Sequence, residues 1–182
     1  MRIISGKYRG KRIDAPRKLP VRPTTDMAKE ALFNILNNRY YFEDLSVLDL
    51  FSGIGSISLE FASRGCKDIT SVDAHSGCVA FLDATSRDLD ADIKCIRSDA
   101  VSFLRKTPQK FDLIFADPPY DLDREEFVQL VDLVMERGLL KEDGILILEH
   151  STRMKLEDIP HFVEHRKYGG SSFSFFASSA SS

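Results

Sequence analysis

From Ser46 onward the chain alternates short apolar runs with amphipathic ones, and this alternation narrows the possible folds more than any other feature. Strands are expected over 47–51, 69–73, 93–97, 111–116 and 144–148, and helices over 56–64, 77–89, 101–105 and 127–137, with Gly65 and Gly138 as stops. Apolar residues fill the strands almost without interruption, so both faces of each must be covered. Strands alternating with helices in this way give a parallel sheet flanked by helices, a doubly wound Rossmann-like α/β fold.

Two further strands are expected over 162–165 and 173–176, separated by Tyr168-Gly169-Gly170, and would add an antiparallel edge. Ahead of the sheet, a helix starting near Thr24-Thr25-Asp26 places Ala28, Ala31, Leu32, Ile35 and Leu36 on one face. Pro16, Pro20 and Pro23 make the preceding segment extended. Residues 2–5 and 11–14 read as two short strands around a turn bounded by Gly6 and Gly10. The expected organisation is a basic extension over 1–23, a main domain over 24–176 and a disordered tail over 177–182, whose small polar residues have nothing to pack.

The net charge of −3 conceals a polarity, because residues 1–30 hold nine basic residues against three acids while the remainder carries −9. Arg2, Lys7, Arg9, Lys11, Arg12, Arg22 and Lys29 offer phosphates several cations on an otherwise acidic body, the footprint of nucleic-acid binding. A solvated arm with no partner is the competing reading. No run approaches the roughly 18 consecutive apolar residues of a membrane span, so a cytoplasmic protein without a membrane partner is expected. Cys66, Cys78 and Cys95 form no Cys-x-x-Cys pair, which points to reduced thiols rather than disulfides or zinc, and no metal is expected.

The first strand leads into Val47-Leu48-Asp49-Leu50-Phe51-Ser52-Gly53-Ile54-Gly55, with two glycines at the strand-to-helix turn where an open α/β sheet binds its ligand. Ser58 stands where a dinucleotide fingerprint needs its third glycine. Asp49 lies inside an apolar strand, where a carboxylate needs a charged or hydrogen-bonding partner, and the ammonium group of an amino-acid-bearing nucleotide would be one. Asp73 ends the second strand at the distance from Gly53 that suits ribose hydroxyls. Asp99 follows the third strand, where it would accept from an adenine amino group while the Ala100 N–H donates to the ring; capping of the next helix is the alternative. Acids at three successive strand ends favour an adenosine ligand with an amino-acid tail over a dinucleotide.

Asp117-Pro118-Pro119-Tyr120 follows the fourth strand and so falls at the ligand end of the sheet. The two prolines stiffen the backbone and leave the Pro118 carbonyl as an acceptor beside the Asp117 carboxylate. Such a pair accepts both hydrogens of an exocyclic amine and stabilises the positive charge that grows as the amine attacks a sulfonium methyl. Tyr120 would stack on the base, which must be unpaired or flipped out.

On these residues the chain resembles the bacterial 16S rRNA guanine-N2 methyltransferases of the RsmD type. The matching pieces are Arg2-Ile3-Ile4-Ser5-Gly6 with Arg9-Gly10, Arg22-Pro23-Thr24 with Asp26 and Glu30-Ala31-Leu32-Phe33-Asn34, the segment 47–55, Ser63-Arg64-Gly65 and Asp117-Pro118-Pro119-Tyr120. The resemblance implies a class I methyltransferase domain with a seven-stranded sheet whose last strand is antiparallel, and S-adenosyl-L-methionine as cofactor. Asp49, Phe51, Gly53, Gly55, Asp73, Asp99, Ala100 and Asp117 would hold that cofactor, and Asp117, Pro118 and Tyr120 would be catalytic. The substrate would be a guanine N2 in 16S rRNA, free or within an assembled or assembling small subunit, gripped by Thr24 and the basic residues named above; a monomer is expected. The chain departs from the family pattern at Lys29, usually arginine, at Ser58, usually glycine, and near Thr85, usually asparagine. Asp-Pro-Pro-Tyr also serves DNA adenine N6-methyltransferases, and an NAD-dependent oxidoreductase or a non-catalytic RNA-binding protein on the same fold remain alternatives.

Overall fold

The alternating segments assemble into one seven-stranded sheet in the order β3-β2-β1-β4-β5-β7-β6. The computed structural model describes residues 1–21 and 24–178, so Arg22, Pro23 and residues 179–182 lie outside the described residues. In chain order the elements are α1 (Asp26–Asn37), a 3-10 turn (Phe42–Asp44), β1 (Ser46–Leu50), α2 (Ser56–Ser63), β2 (Asp68–Asp73), α3 (Ser76–Asp88), β3 (Ile93–Arg97), α4 (Ala100–Lys106), β4 (Phe111–Ala116), α5 (Arg124–Glu136), β5 (Leu140–Ser151), β6 (Phe162–Tyr168) and β7 (Ser171–Phe176). Strands β1 to β5 are parallel, and β7 runs antiparallel to both β5 and β6.

Each central strand divides its residues between two cores. Val47 faces the layer of α1, α2 and α3 with Leu32, Ile57 and Phe61, whereas Leu48 and Leu50 face α4 and α5 with Leu104, Leu130 and Val131. Phe33, Phe42 and Phe61 meet edge to face at 4.7 to 5.9 Å between centroids, which fixes α1 against α2. Side chains start the helices where the sequence supplies acceptors. Thr25 Oγ1 accepts from Ala28 N at 3.2 Å, and the Asp99 and Asp123 carboxylates cap α4 and α5 at 2.9 Å.

Three features differ from the reading of the sequence. The N-terminal residues make one antiparallel bridge, Arg2 to Arg12, rather than two strands. Ile3 N to Lys11 O, Gly10 N to Ile3 O and Ile13 N to Met1 O close the pair, and the turn is tied to α2 because Ile4 N and Ser5 N donate to the Glu60 carboxylate, Lys7 N donates to Ser63 O and Tyr8 N donates to Ser63 Oγ. Strand β5 is longer than 144–148 and takes up the polar Lys141-Glu142-Asp143 stretch at a register shift against β4. The terminal pair places β7 inside the sheet and β6 at its edge, so the antiparallel strand is an inner one.

Candidate active site

The chain reverses direction across the sheet between β1 and β4, and the crevice at the carboxyl ends of these strands is where an open α/β sheet binds ligands. A cavity of about 490 Å³ opens there, within the range of small-molecule sites. Asp49, Phe51, Gly53, Asp73, Asp117 and Tyr120 all line it, as the sequence predicts. The loop after β1 is strained to make room: Phe51 has φ of 57°, a left-handed conformation that a bulky side chain rarely adopts. Gly55 supports this loop without lining the cavity. Its φ is 88°, and a Cβ there would lie 2.2 Å from Leu82 Cδ1, so the loop packs directly on α3.

The acids at the strand ends differ in environment. Asp73 sits at the rim, where its two oxygens accept from Gly53 N at 2.8 Å and His75 N at 2.9 Å. Asp49 is 1% exposed, and the Ser58 hydroxyl, bonded also to Ser71, donates to it at 2.6 Å. Burial pushes its carboxyl up to about 7, against the Ser58 hydrogen bond, and the charges of Asp117 and Asp73 push the same way. The residue that departs from the glycine pattern thus holds the buried acid. A buried carboxylate in a cavity wall favours a cationic ligand group, and the glycine turn lets a ligand approach the backbone. The donor and acceptor set fits the amino-acid tail and ribose of an S-adenosylmethionine.

Asp99 and Ala100 lie outside the cavity lining. Asp99 Oδ1 accepts from Ser102 N, and hydrogen bonds from the Ser102 side chain and backbone hold its carboxyl below the usual range. At the far wall Asp117 is half-buried, Pro118 buried and Tyr120 67% exposed, so the aromatic ring faces outward beside the carboxylate.

The basic residues separate into two groups. Arg2, Lys7, Arg9, Lys11 and Arg12 are exposed on one segment, and Arg2 pairs with Asp26 at 3.5 Å. Arg22 lies outside the described residues. Lys29 does not belong to this surface, because its side chain is fully buried. Its ammonium donates to Arg2 O at 2.6 Å and Ser56 Oγ at 3.1 Å, and lies 3.5 Å from the Glu60 carboxylate. Desolvation lowers its pKa, and Glu60 opposes that shift. Glu60, absent from the sequence reading, collects Lys29, Arg64 and two backbone amides, and so clamps the N-terminal segment on α2. The available signal was an acid set within Ile57-Ser58-Leu59-Glu60-Phe61, an otherwise apolar stretch of helix.

The sequence reading also omitted Pro20 and Val21, which line the cavity together with Thr24. The segment between the N-terminal turn and α1 therefore crosses the cofactor loop, with Leu19 packed on Ile54 and Cys78. His75 and Cys78 complete that wall, and His75 Nδ1 accepts from Gly77 N and Cys78 N to start α3.

A sheet of this order with an inner antiparallel β7, joined to a glycine loop and a strand-end Asp-Pro-Pro-Tyr, is the class I methyltransferase architecture. The family model described as "Conserved hypothetical protein 95" matches residues 1–177. The chain belongs to this family, the RsmD-type methyltransferases. It is 32% identical over 173 residues to Bacillus subtilis YlbH, covering 92% of each chain. It is 29% identical over 161 residues to the Escherichia coli K12 protein named Ribosomal RNA small subunit methyltransferase D, covering 88% of this chain and 79% of that one. The solved structure of the Thermus thermophilus protein TTHA0928 superposes with a TM-score of 0.83 at 27% identity, covering 97% of this chain and 98% of that one.

Proposed function

We propose that this protein transfers a methyl group from S-adenosylmethionine to the exocyclic N2 amino group of a guanine in 16S rRNA. The observation that carries the reading is Asp117-Pro118-Pro119-Tyr120, which presents a carboxylate in the wall of the cofactor cavity and an exposed aromatic ring beside it. S-adenosylmethionine supplies a methyl group made electrophilic by its sulfonium sulfur. Asp49 would hold the ammonium of its amino-acid tail and Asp73 the ribose hydroxyls, while Phe51 and Gly53 shape the wall around it. Asp99 and Ala100, at the end of β3 and outside the lining, would hold the adenine ring.

The exocyclic amine is a weak nucleophile, because its lone pair is delocalised into the base. Asp117 and the Pro118 carbonyl accept its two hydrogens, favour pyramidal nitrogen and oppose the developing charge. The amine lone pair would thereby be aimed at the sulfonium methyl, which the cofactor would give up to nitrogen while keeping the bonding pair on sulfur. One proton leaves the nitrogen past Asp117 to solvent. Tyr120 stacks on the base and holds the amine in line.

Arg2, Lys7, Arg9, Lys11 and Arg12, with Arg22 and Thr24, would track the RNA phosphates as a monomer engages a small subunit in the cytoplasm. The name of the Escherichia coli relative supports the small-subunit substrate. Purified protein with methyl-labelled cofactor should label 16S rRNA, assembled or free, as N2-methylguanine, and Asp117→Ala should lower the rate by about 100- to 1000-fold. Label appearing only at adenine in duplex DNA would overturn the reading.

A further inference from the structure

Strands β4 and β5 end side by side, and their register brings a second acid next to the reaction motif. Phe115 pairs with Ile147 and Ala116 with Leu148, so the next step of the parallel register sets Asp117 beside Glu149. Alternation along β5 turns Glu149 to the side of Ile147, the side of α1, α2 and α3, and Asp117, one residue past the end of β4, lines the cofactor cavity with Asp49 and Phe115. Across the other edge of β5, Glu149 pairs with Phe173, which belongs to the same layer. Glu149 is 5% exposed, directly follows the apolar run 145–148, and does not line the cofactor cavity. It lines a second, smaller cleft with Asp117, Pro118, Pro119 and Tyr120, the residues that also wall the cofactor cavity. The reaction motif therefore borders two clefts, the cofactor cavity and the smaller one that Glu149 lines.

We infer that Glu149 reads the target base by accepting the guanine N1–H, while its neighbour Asp117 accepts from the N2 amine. The assignment rests on the function proposed above and deepens it. Guanine presents adjacent N1–H and N2–H donors along one edge, and two carboxylates at the ends of adjacent strands offer adjacent acceptors. Adenine and cytosine present a ring-nitrogen acceptor next to their amino group. A carboxylate at Glu149 would face that lone pair and repel it. Asp-Pro-Pro-Tyr serves amines on any base, and Glu149 makes the site one for guanine. Selectivity against adenine then comes from an unfavourable contact as much as from a favourable one.

2-Aminopurine keeps the amine to be methylated and replaces the N1–H by an acceptor, so it isolates the contact with Glu149. Small subunits are reconstituted with guanine or 2-aminopurine at the nucleotide that the wild-type protein methylates, and transfer is followed by mass spectrometry of the nucleosides. Wild-type protein should prefer guanine by at least about 100-fold, since a site built around a hydrogen bond rejects an analogue that leaves its polar group unmatched. Glu149→Gln, whose amide can donate to the 2-aminopurine nitrogen, should shrink that preference by about tenfold or more, with S-adenosylhomocysteine affinity unchanged. Equal rates on the two bases with wild-type protein, or an unchanged preference in the variant, would overturn the role of Glu149 and leave guanine methylation standing. The wild-type comparison decides even where the variant fails to fold. No N2-methylguanine from wild-type protein on unmodified subunits would overturn the function itself and this assignment with it.

Discussion

With its carboxylate 1% exposed and the Ser58 hydroxyl as donor, Asp49 ionises against the folded state until a cation reaches it. Its carboxyl titrates at about 3.9 in an unfolded chain, so the folded protein carries the extra proton from about pH 4 up to the value of about 7. Stability falls as pH rises through that window, by roughly 4 kcal/mol if Asp49 acts alone. Asp49→Asn should flatten the pH dependence of thermal unfolding in cofactor-free protein and raise its midpoint at about pH 8. The same variant should bind S-adenosylhomocysteine at least about tenfold more weakly, measured by calorimetry, because the ammonium loses a charged partner. Lys29 is also desolvated, but its partners lie within the fold, where Glu60, Arg2 O and Ser56 Oγ surround the ammonium. Lys29→Met leaves the fully buried Glu60 without its amine partner, a loss of about 3 to 5 kcal/mol. Chemical denaturation should report that loss, while the salt dependence of RNA binding stays at its wild-type slope.

The N-terminal segment, with its exposed cations, is joined to the loop after β1 through named bonds rather than by proximity alone. Glu60 clamps its backbone to α2, Lys29 ties Arg2 O to Ser56, and Ser56 lines the cofactor cavity. Its cations face outward, so neutralising Lys7, Arg9 and Lys11 together should lower the slope of log affinity against log salt by about 2 to 3 in filter-binding or anisotropy titrations of 16S rRNA. A slope unchanged by that triple variant would place the RNA on another face. The strands were legible in the sequence because apolar runs buried on both sides look alike in any sheet of this kind. The N-terminal pair was legible from its alternating residues and two glycines, whereas its docking on Ser63 and Glu60 of α2 was not, because no local pattern encodes contacts made more than 50 positions away. Burial of Lys29 was equally hidden, since a lysine in a basic stretch gives no sign that a glutamate 31 positions on will claim it.

A basic segment is docked on an acidic α/β body, with Asp117-Pro118-Pro119-Tyr120 between two clefts, and the proposed function would divide the labour between them, the segment holding RNA and the motif presenting one base. That Asp49, Asp73 and Asp117 would meet around one cavity was readable because all three lie at or near strand ends, which the order of elements already dictates. Glu149 was not, because only the register of β5 against β4 brings it beside Asp117. Among the described residues no helix is long and apolar enough to cross a membrane. One chemical product is expected of the whole molecule, and mass spectrometry of small-subunit rRNA from cells lacking this gene tests for it most directly. One N2-methylguanine should disappear, return with the wild-type gene and stay absent with Asp117→Ala. An unchanged N2-methylguanine content, or full restoration by Asp117→Ala, would contradict the proposed activity.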